Sequence, residues 1–468
     1  MKLDSPWTAR LADGPGPPSE RLVVALADDI LEGRLEAGAR LPAHRDLAWT
    51  LKIGVGTVTK AYAVLERRGL VRSVKGRGTF VALVQARQPA GIDLSFNVPP
   101  AMLSERLLRR TLSAIARSLD PGLFTGYPPA LGHDEHRRLM ARWLNDLGMP
   151  ADPAQVVLTS GAQQALSVAF SVALRPGGTI YCDALTYPGL ITLARFAGYK
   201  LAGVAMDEEG MIPAELEKAL AARPAGVRSA ILYLMPTMQN PTTAVMSAER
   251  RREMAQLCRD HRLALVEDDV YSLAPLPGRP PIATLAPERT FYVNSLSKTV
   301  SPGLRIGSLV VPPGLLERAA AALRATLLSV SPLSCAVMER WMADGTADTL
   351  RTAIRMEAER RTRLAHSLLG PALRRSEVAG FHAFLPLPRE EAERVAAVAA
   401  GFGVAVTPPR AIAADRQGHD SGLRLCLGAP ALPDLRGGLA KIASILGETA
   451  MRNGQSAMRI SHLRNDPV

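Results

Sequence analysis

Residues 290–305 read TFYVNSLSKTVSPGLR. Thr290–Asn294 is a short aromatic and β-branched run, the composition of a buried strand. It ends in Ser295-Leu296-Ser297-Lys298, and Arg305 follows seven residues after the lysine. The same pattern, an apolar run closed by polar residues, recurs upstream. Gln155–Thr159 leads into Ser160-Gly161-Ala162-Gln163, Ser229–Leu234 precedes Asn240-Pro241-Thr242, and Leu263–Glu267 leads into Asp268-Asp269-Val270-Tyr271. Thr179–Asp183 and Ile306–Val311 are further strand-like runs, and helical stretches separate most of them. Such alternation predicts a doubly wound α/β domain with a largely parallel sheet. Ligands of such sheets sit at the carboxyl ends of the strands, where these polar residues lie.

Downstream, Pro312–Leu369 reads as mostly helical, with the charged stretch Arg351–Leu369 packing between lobes. Phe381–Leu387, Val404–Thr407 and Leu423–Cys426, with helices around Glu390–Ala400 and Pro433–Leu446, predict a smaller α/β lobe. A polar tail follows Met451.

Lys298 has two chemical readings beside that of an ordinary surface lysine. Ser295 and Lys298 form an SxxK pair, but the partner motifs of a serine acyl-transfer site are absent. The other reading is an imine-forming lysine. A pyridoxal cofactor needs such a lysine, an acid for its pyridinium nitrogen and ligands for its phosphate. Lys298, Asp268 and the set Ser160, Ser295 and Arg305 supply the three kinds. A helix opening at Ser160-Gly161-Ala162 would offer backbone N–H groups to the phosphate.

The amino-terminal part has a different character. Between Arg40 and Phe80 stand nine basic residues (Arg40, Arg45, Lys52, Lys60, Arg67, Arg68, Arg72, Lys75, Arg77) against Asp46 and Glu66. This places +7 of the chain's net +12 in under a tenth of its length, the electrostatic footprint of a nucleic-acid surface. Leu22, Leu26 and Ile30 recur at helical spacing, with Ser19 as N-cap and Gly33 as stop. A second helix fits Ala43–Thr50. A turn at Lys52–Gly56 leads to a third, Thr57–Arg68, ended by Gly69, with Val58, Ala61 and Leu65 facing inward. Leu70–Val74 and Thr79–Leu83 flank the basic turn Lys75-Gly76-Arg77-Gly78. Three helices and a hairpin make a winged helix-turn-helix.

The run LPAHRDLAWTLKIGVGTVTKAYAVLERRGLVRSVKGRGTFV resembles the winged helix of GntR-type bacterial regulators over about Ser19–Val81. The resemblance makes Arg45, Thr57, Thr59, Lys60, Arg77 and Gly78 the candidate DNA contacts. Gly54-Val55-Gly56 stands where many relatives carry Ser-Arg-Asn, so an arginine contact is missing at position 55. The ordered set in the second part resembles the fold-type-I aminotransferases over nearly all of Ile92–Glu448. That resemblance implies bound pyridoxal 5'-phosphate, joined to Lys298 as a Schiff base. Tyr187 would stack on the ring, and Asp268 would pair with its nitrogen. Asn240 and Tyr271 would hold its phenolic oxygen. Ser160, Gly161, Ala162, Ser295, Ser297 and Arg305 would surround the phosphate. Arg424 would grip a ligand carboxylate, and Tyr127 would reach across a dimer interface. Thr243 replaces the last glycine of the usual NPTG.

Residues 1–83 thus read as the DNA-binding domain, 84–91 as a linker, 92–450 as the aminotransferase-like domain and 451–468 as the tail. The fusion resembles the MocR subfamily of bacterial transcription regulators. It implies a homodimer that binds double-stranded operator DNA and senses an amine or amino acid. An active aminotransferase with an attached DNA-binding domain is the alternative, and a cofactor-free dimeriser a third reading.

Composition sets the outer limits. The chain has 468 residues, 47% hydrophobic and 21% charged, which excludes a wholly disordered, collagen-like or coiled-coil protein. No apolar run reaches the ~18–20 residues of a membrane helix. The first residues lack the apolar core of a signal peptide, so a cytoplasmic protein is expected. Cys182, Cys258, Cys335 and Cys426 form no CxxC pair and read as buried thiols. His133 and His136 have helical spacing that suits a metal, but their charged surroundings read as a solvated face, and no metal site is expected.

Overall fold

The computed structural model describes residues 5, 7–14, 16–31, 34–36, 38–67, 70–74, 78–81, 91–118, 120–223, 229–415 and 421–463. The chain divides into two units, Met1–Ala90 and Gly91–Val468.

In the first unit α1 (Pro18–Leu31), α2 (His44–Leu51) and α3 (Val55–Arg67) precede a hairpin of β1 (Val71–Val74) and β2 (Gly78–Val81). The expected winged helix is present. Leu22, Leu26, Leu47, Val58, Ala61 and Leu65 are fully buried at its centre. Two details differ from the expectation. Ser19 lies inside α1 rather than capping it, and α3 starts at Val55, two residues early, with Thr57 and Val58 donating to Gly54 O. Gly33, Gly69 and residues 84–90 of the linker lie outside the described residues.

The second unit contains β3 (Ile92–Leu94), β4 (Val156–Thr159), β5 (Thr179–Asp183), β6 (Lys200–Val204), the small hairpin β7 (Met206–Asp207) and β8 (Gly210–Met211), β9 (Ala230–Leu234), β10 (Ala264–Asp268), β11 (Thr290–Ser295), β12 (Gly307–Val310), β13 (His382–Pro386), β14 (Val404–Val406) and β15 (Gly422–Cys426). The large sheet has the order β4-β12-β11-β10-β9-β5-β6. Only β12 runs against its neighbours. The carboxyl ends of the other strands therefore share one edge. Because Gly307 pairs with both Ser295 and Thr159, the amino end of β12 joins that edge too, bringing Arg305 with it.

Alternate residues of these strands enter separate cores, as the pleat requires. Tyr233, Val266 and Phe291 pack beneath helix Ala162–Ala173, against Leu166 and Phe170. Leu232 and Leu265 face the other side, toward Met254 and Cys258 of helix Ala248–Asp260. The edge strand β6, KLAGV, is not legible in the sequence because it is largely solvent-facing and lacks an apolar run. The three-residue β3 is too short to register.

The smaller lobe pairs β13 with β15 antiparallel and β14 with β3 parallel, and a Thr407–Arg424 bridge joins the two ladders. Helix Thr346–Leu369 carries the buried Arg361, whose Nη1 donates to the carbonyls of Leu427, Gly428 and Pro430 at 2.6–3.0 Å. Three carbonyls just past β15 are fixed by one guanidinium, which anchors the strand that carries Arg424. The final helix spans Leu432–Leu463 and takes in most of the stretch that reads as a loose tail. All four cysteines are buried and free. His136 is buried rather than solvated and sits 3.2 Å from Glu339 through Nε2. Among the described residues no helix is long and apolar enough to cross a membrane, and no cluster could hold a metal ion.

Candidate functional site

The polar residues expected at the strand ends meet in one place. Asp268 ends β10 and is 3% exposed. Its Oδ2 accepts from the Tyr233 hydroxyl at 2.7 Å, while Oδ1 is buried without a partner. Burial pushes this carboxyl up to about 7, although the Tyr233 hydrogen bond and nearby Lys298 favour the anion. A buried acceptor left open in this way fits a cationic donor such as a pyridinium N–H.

Lys298 lies in the short helix Leu296–Thr299, and its Nζ donates to the carbonyl oxygen of Asn97. Burial lowers its ammonium from 10.5 to about 8, with Arg424 and Arg305 acting in the same direction. The neutral, nucleophilic amine is thereby accessible near physiological pH.

Helix Ala162–Ala173 starts behind Gly161 with no side-chain cap, so its first N–H groups remain for an anion. Arg305 bonds across this end, through Nη2 to Ser160 O at 3.1 Å and Nη1 to Ser297 Oγ at 3.2 Å. Gly161 has φ of +87°, and a Cβ there would lie 2.7 Å from Arg305 Nη2. The positive φ favours glycine, and a side chain there would also have to push the Arg305 guanidinium aside. Ser295 differs from its expected role: its hydroxyl donates to Ile306 O at 3.0 Å and accepts from Ser297 N at 3.1 Å. It caps the Lys298 helix and has no proton left for a phosphate.

Tyr187 precedes helix Pro188–Ala197, and its hydroxyl donates to Gln163 Oε1 at 3.2 Å. A Cβ on Gly189 would come within 2.3 Å of its ring, so the TYPG glycine makes room for the aromatic face. Asn240 Nδ2 donates to the Tyr271 hydroxyl at 3.0 Å. Thr243 keeps the left-handed backbone that the lost glycine would favour, at φ of +62°, and still donates to Gln239 O at 2.8 Å. The loop is strained and Asn240 remains in the site.

Arg424, on β15, is 5% exposed. Nη1 donates to Asn240 Oδ1 at 2.9 Å, Nη2 to Ser95 O and Thr407 Oγ1 at 3.0 Å each, and Nε is buried without a partner. Tyr127 is 86% exposed and makes none of the hydrogen bonds of this site. The structure adds Ser95, Asn97, Tyr233, His382 and Thr407, which sequence reasoning missed. Only Tyr233 carries a signal, as a polar group inside an apolar strand.

In the first unit, Arg45, Thr59 and Lys60 are exposed and Thr57 is half-buried. Thr59 Oγ1 donates to Val55 O at 3.0 Å and lies 3.1 Å from His44 Nδ1. Gly78 is exposed at φ of +112°, and a Cβ there would meet Arg40 Nε at 3.1 Å. Arg77 lies outside the described residues. Trp49, one turn after Arg45 on α2, is 85% exposed, and nothing in the sequence singles it out.

The sequence matches the aminotransferase class I and II family over residues 89–434. The chain belongs to that family. Residues 18–81 match the bacterial regulatory proteins of the gntR family, so the chain joins a GntR-type helix-turn-helix to an aminotransferase-like domain, the pairing of MocR-type regulators. It is 27% identical to the uncharacterized HTH-type transcriptional regulator YdeF of Bacillus subtilis, over 94% of this chain and 97% of that one. It is 28% identical to the vitamin B6 salvage pathway transcriptional repressor PtsJ of Salmonella typhimurium, over 80% of this chain and 86% of that one. Among solved structures, the kynurenine aminotransferase of Pyrococcus horikoshii has a TM-score of 0.69 at 23% identity, over 78% of this chain and 92% of that one, which shows the shared fold.

The lowered Lys298 ammonium makes a pH prediction. Its reactive form is the neutral amine, so uptake of pyridoxal phosphate should accelerate as pH rises through about 8 and level off above it. The check is stopped-flow absorbance. A midpoint near the ordinary 10.5 would show that Lys298 is hydrated like a surface lysine.

Proposed function

We propose that this chain is a homodimeric bacterial transcription regulator of the cytoplasm. Its first unit binds double-stranded operator DNA. Its second binds pyridoxal 5'-phosphate at Lys298 and senses an amine or amino acid. When bound, the cofactor supplies an aldehyde carbon on which amines exchange and a ring that withdraws electrons. In this reading Asp268 receives the ring nitrogen, Tyr187 covers the ring, Asn240 and Tyr271 direct their polar groups to its phenolic oxygen, and Ser160, Gly161, Ala162, Ser297 and Arg305 hold the phosphate. Tyr127 completes the pocket of the other subunit in the dimer.

One observation carries the sensing function. Both cations that a ligand would engage are tied to the backbone of Ser95 and Asn97: Arg424 Nη2 donates to Ser95 O, and Lys298 Nζ donates to Asn97 O. A carboxylate that approaches Arg424 side-on takes Nε and one Nη2 hydrogen. It must displace Ser95 O or Thr407 Oγ1. Ser95 stands five residues beyond Ala90, where the DNA-binding unit ends. The ligand therefore acts on the segment that leads into the linker, which gives it the differential interaction with two conformations that allostery requires. The same pocket also favours a second reading, an active aminotransferase, which multiple turnovers with an amino donor and an oxo acid would reveal.

DNA binding should weaken steeply with salt. Replacing Arg45 and Lys60 by Ala should flatten the salt dependence by about one unit for each phosphate that is no longer neutralised. Fluorescence anisotropy on the operator checks this, and an unaltered slope would move the DNA surface elsewhere. Arg424→Ala should keep the visible absorbance of the cofactor and still bind DNA, yet lose response to a carboxylate-bearing ligand. An unpaired carboxylate in a partly dry pocket costs roughly 2–5 kcal/mol, some tens- to thousands-fold in affinity. A spectral titration beside a reporter assay measures both. A wild-type response would show that the ligand does not use Arg424.

A further inference from the structure

The pocket contains a hydrogen-bond chain whose direction is fixed at both ends. At one end, Gln239 O can only accept, and it lies 3.2 Å from His382 Nε2. The imidazole proton must therefore sit on Nε2, which leaves Nδ1 as an acceptor. Asn97 Nδ2 lies 3.3 Å from that nitrogen and 2.9 Å from the Tyr271 hydroxyl, and donates one hydrogen to each. At the other end, Arg424 can only donate, so Asn240 Oδ1 accepts and Asn240 Nδ2 faces Tyr271 as a donor. The Tyr271 oxygen thus receives two amide N–H groups. Its own proton has one direction left, away from both amides.

We infer that His382 and Asn97 are positioning residues that fix the Tyr271 hydroxyl as a hydrogen-bond donor directed into the pocket. This rests on reading the pocket as a pyridoxal phosphate site, and it adds two residues to it. The rings of Tyr271 and His382 pack with centroids 5.2 Å apart, and both residues are buried. The titratable groups that face it are Lys298, Asp268, Arg424, Cys426 and Tyr187. Burial, with Arg424 and Lys298 adding to it, holds His382 down to about 3, and burial raises the Tyr271 phenol. Both groups stay neutral, so the chain keeps its direction across physiological pH. A carboxylate at position 97, or a charged imidazole, would reverse it. The Tyr271 proton would then turn inward to the protein, and an anionic oxygen in the pocket would lose its donor.

Two measurements test the inference. Nitrogen NMR of the full chain without added cofactor reads the imidazole directly, with His382→Gln assigning the signal. His382 should be neutral with its proton on Nε2 between about pH 5 and 8. A charged ring, or a proton on Nδ1, overturns the inference. With pyridoxal phosphate bound, the pH at which the visible chromophore loses its proton reports the donor at its phenolic oxygen. Tyr271→Phe should raise that midpoint by roughly one pH unit, and Asn97→Leu, which leaves the hydroxyl but no longer fixes its direction, should raise it by a smaller amount. The double variant should move it no further than the larger single one, because both act through the same hydroxyl. His382→Leu should raise it too, and His382→Gln, which retains a donor and an acceptor, should restore most of the difference. A midpoint unchanged in Asn97→Leu but raised in Tyr271→Phe would leave Asn97 a packing residue and overturn the inference. If the chain takes up no pyridoxal phosphate, the reading of the pocket falls, while the nitrogen signals still decide the hydrogen-bond chain.

Discussion

The second unit is organised around one carboxylate, Asp268, buried with a single oxygen satisfied. Removing a charge from water is expensive, so such a carboxyl is either held protonated, as the rise to about 7 favours, or completed by a cationic donor. The fold meets this demand through its topology. On β10, alternate residues face opposite sides of the sheet. Asp268 points with Val266 toward Tyr233, while Glu267 points the other way and accepts from Ile282 N and Ala283 N at 3.0 and 2.8 Å. Two adjacent buried acids thus serve different purposes. One caps a helix and is fully hydrogen-bonded. The other has one oxygen without a partner, open toward the proposed cofactor site.

The antiparallel β12 completes the arrangement. In an all-parallel sheet the residues before a strand would lie at the far edge. Reversing one strand places Arg305 beside Ser160 and Ser297, so the anion cradle, the lysine and the acid share one rim. The smaller lobe then closes the rim with Arg424, whose strand is held by Arg361 through three carbonyls. The bonds from Arg305 to Ser160 and from Arg361 to Leu427 span 145 and 66 positions of the chain, and cooperative folding alone brings such residues together.

This separation explains what the sequence disclosed. The strand ends were legible because each couples a short apolar run to a local polar cluster. All the candidate cofactor residues named from that pattern lie in the second unit, and Lys298, Asp268, Asn240, Tyr271 and Arg305 converge. Ser295 looked like a phosphate ligand because a serine at a strand end usually has a free hydroxyl. Here the turn into the Lys298 helix consumes it. Asn97, His382 and Thr407 were invisible for the opposite reason. They sit in the segment after β3, on β13 and just after β14, where neither periodicity nor motif marks them, and only three-dimensional pairing with Tyr271 and Arg424 gives them meaning. In the first unit the helices and hairpin were readable from spacing, but not the start of α3. Gly54 and Gly56 obscured it, since glycine normally signals a turn, whereas here Gly54 O simply accepts the first bonds of the helix.

In the proposed regulator the state of this pocket sets DNA affinity, with Ser95–Asn97 as the shared segment. The most direct measurement compares operator affinity of the full-length chain loaded with pyridoxal phosphate against the same chain loaded with pyridoxamine phosphate, at one salt concentration. The two differ in whether Lys298 is engaged or released to donate to Asn97 O. A difference of about tenfold or more is expected, and its loss in Lys298→Ala, since a ligand shifts an equilibrium only through unequal interaction with the two states. Equal affinities for the two loaded forms would contradict the proposal.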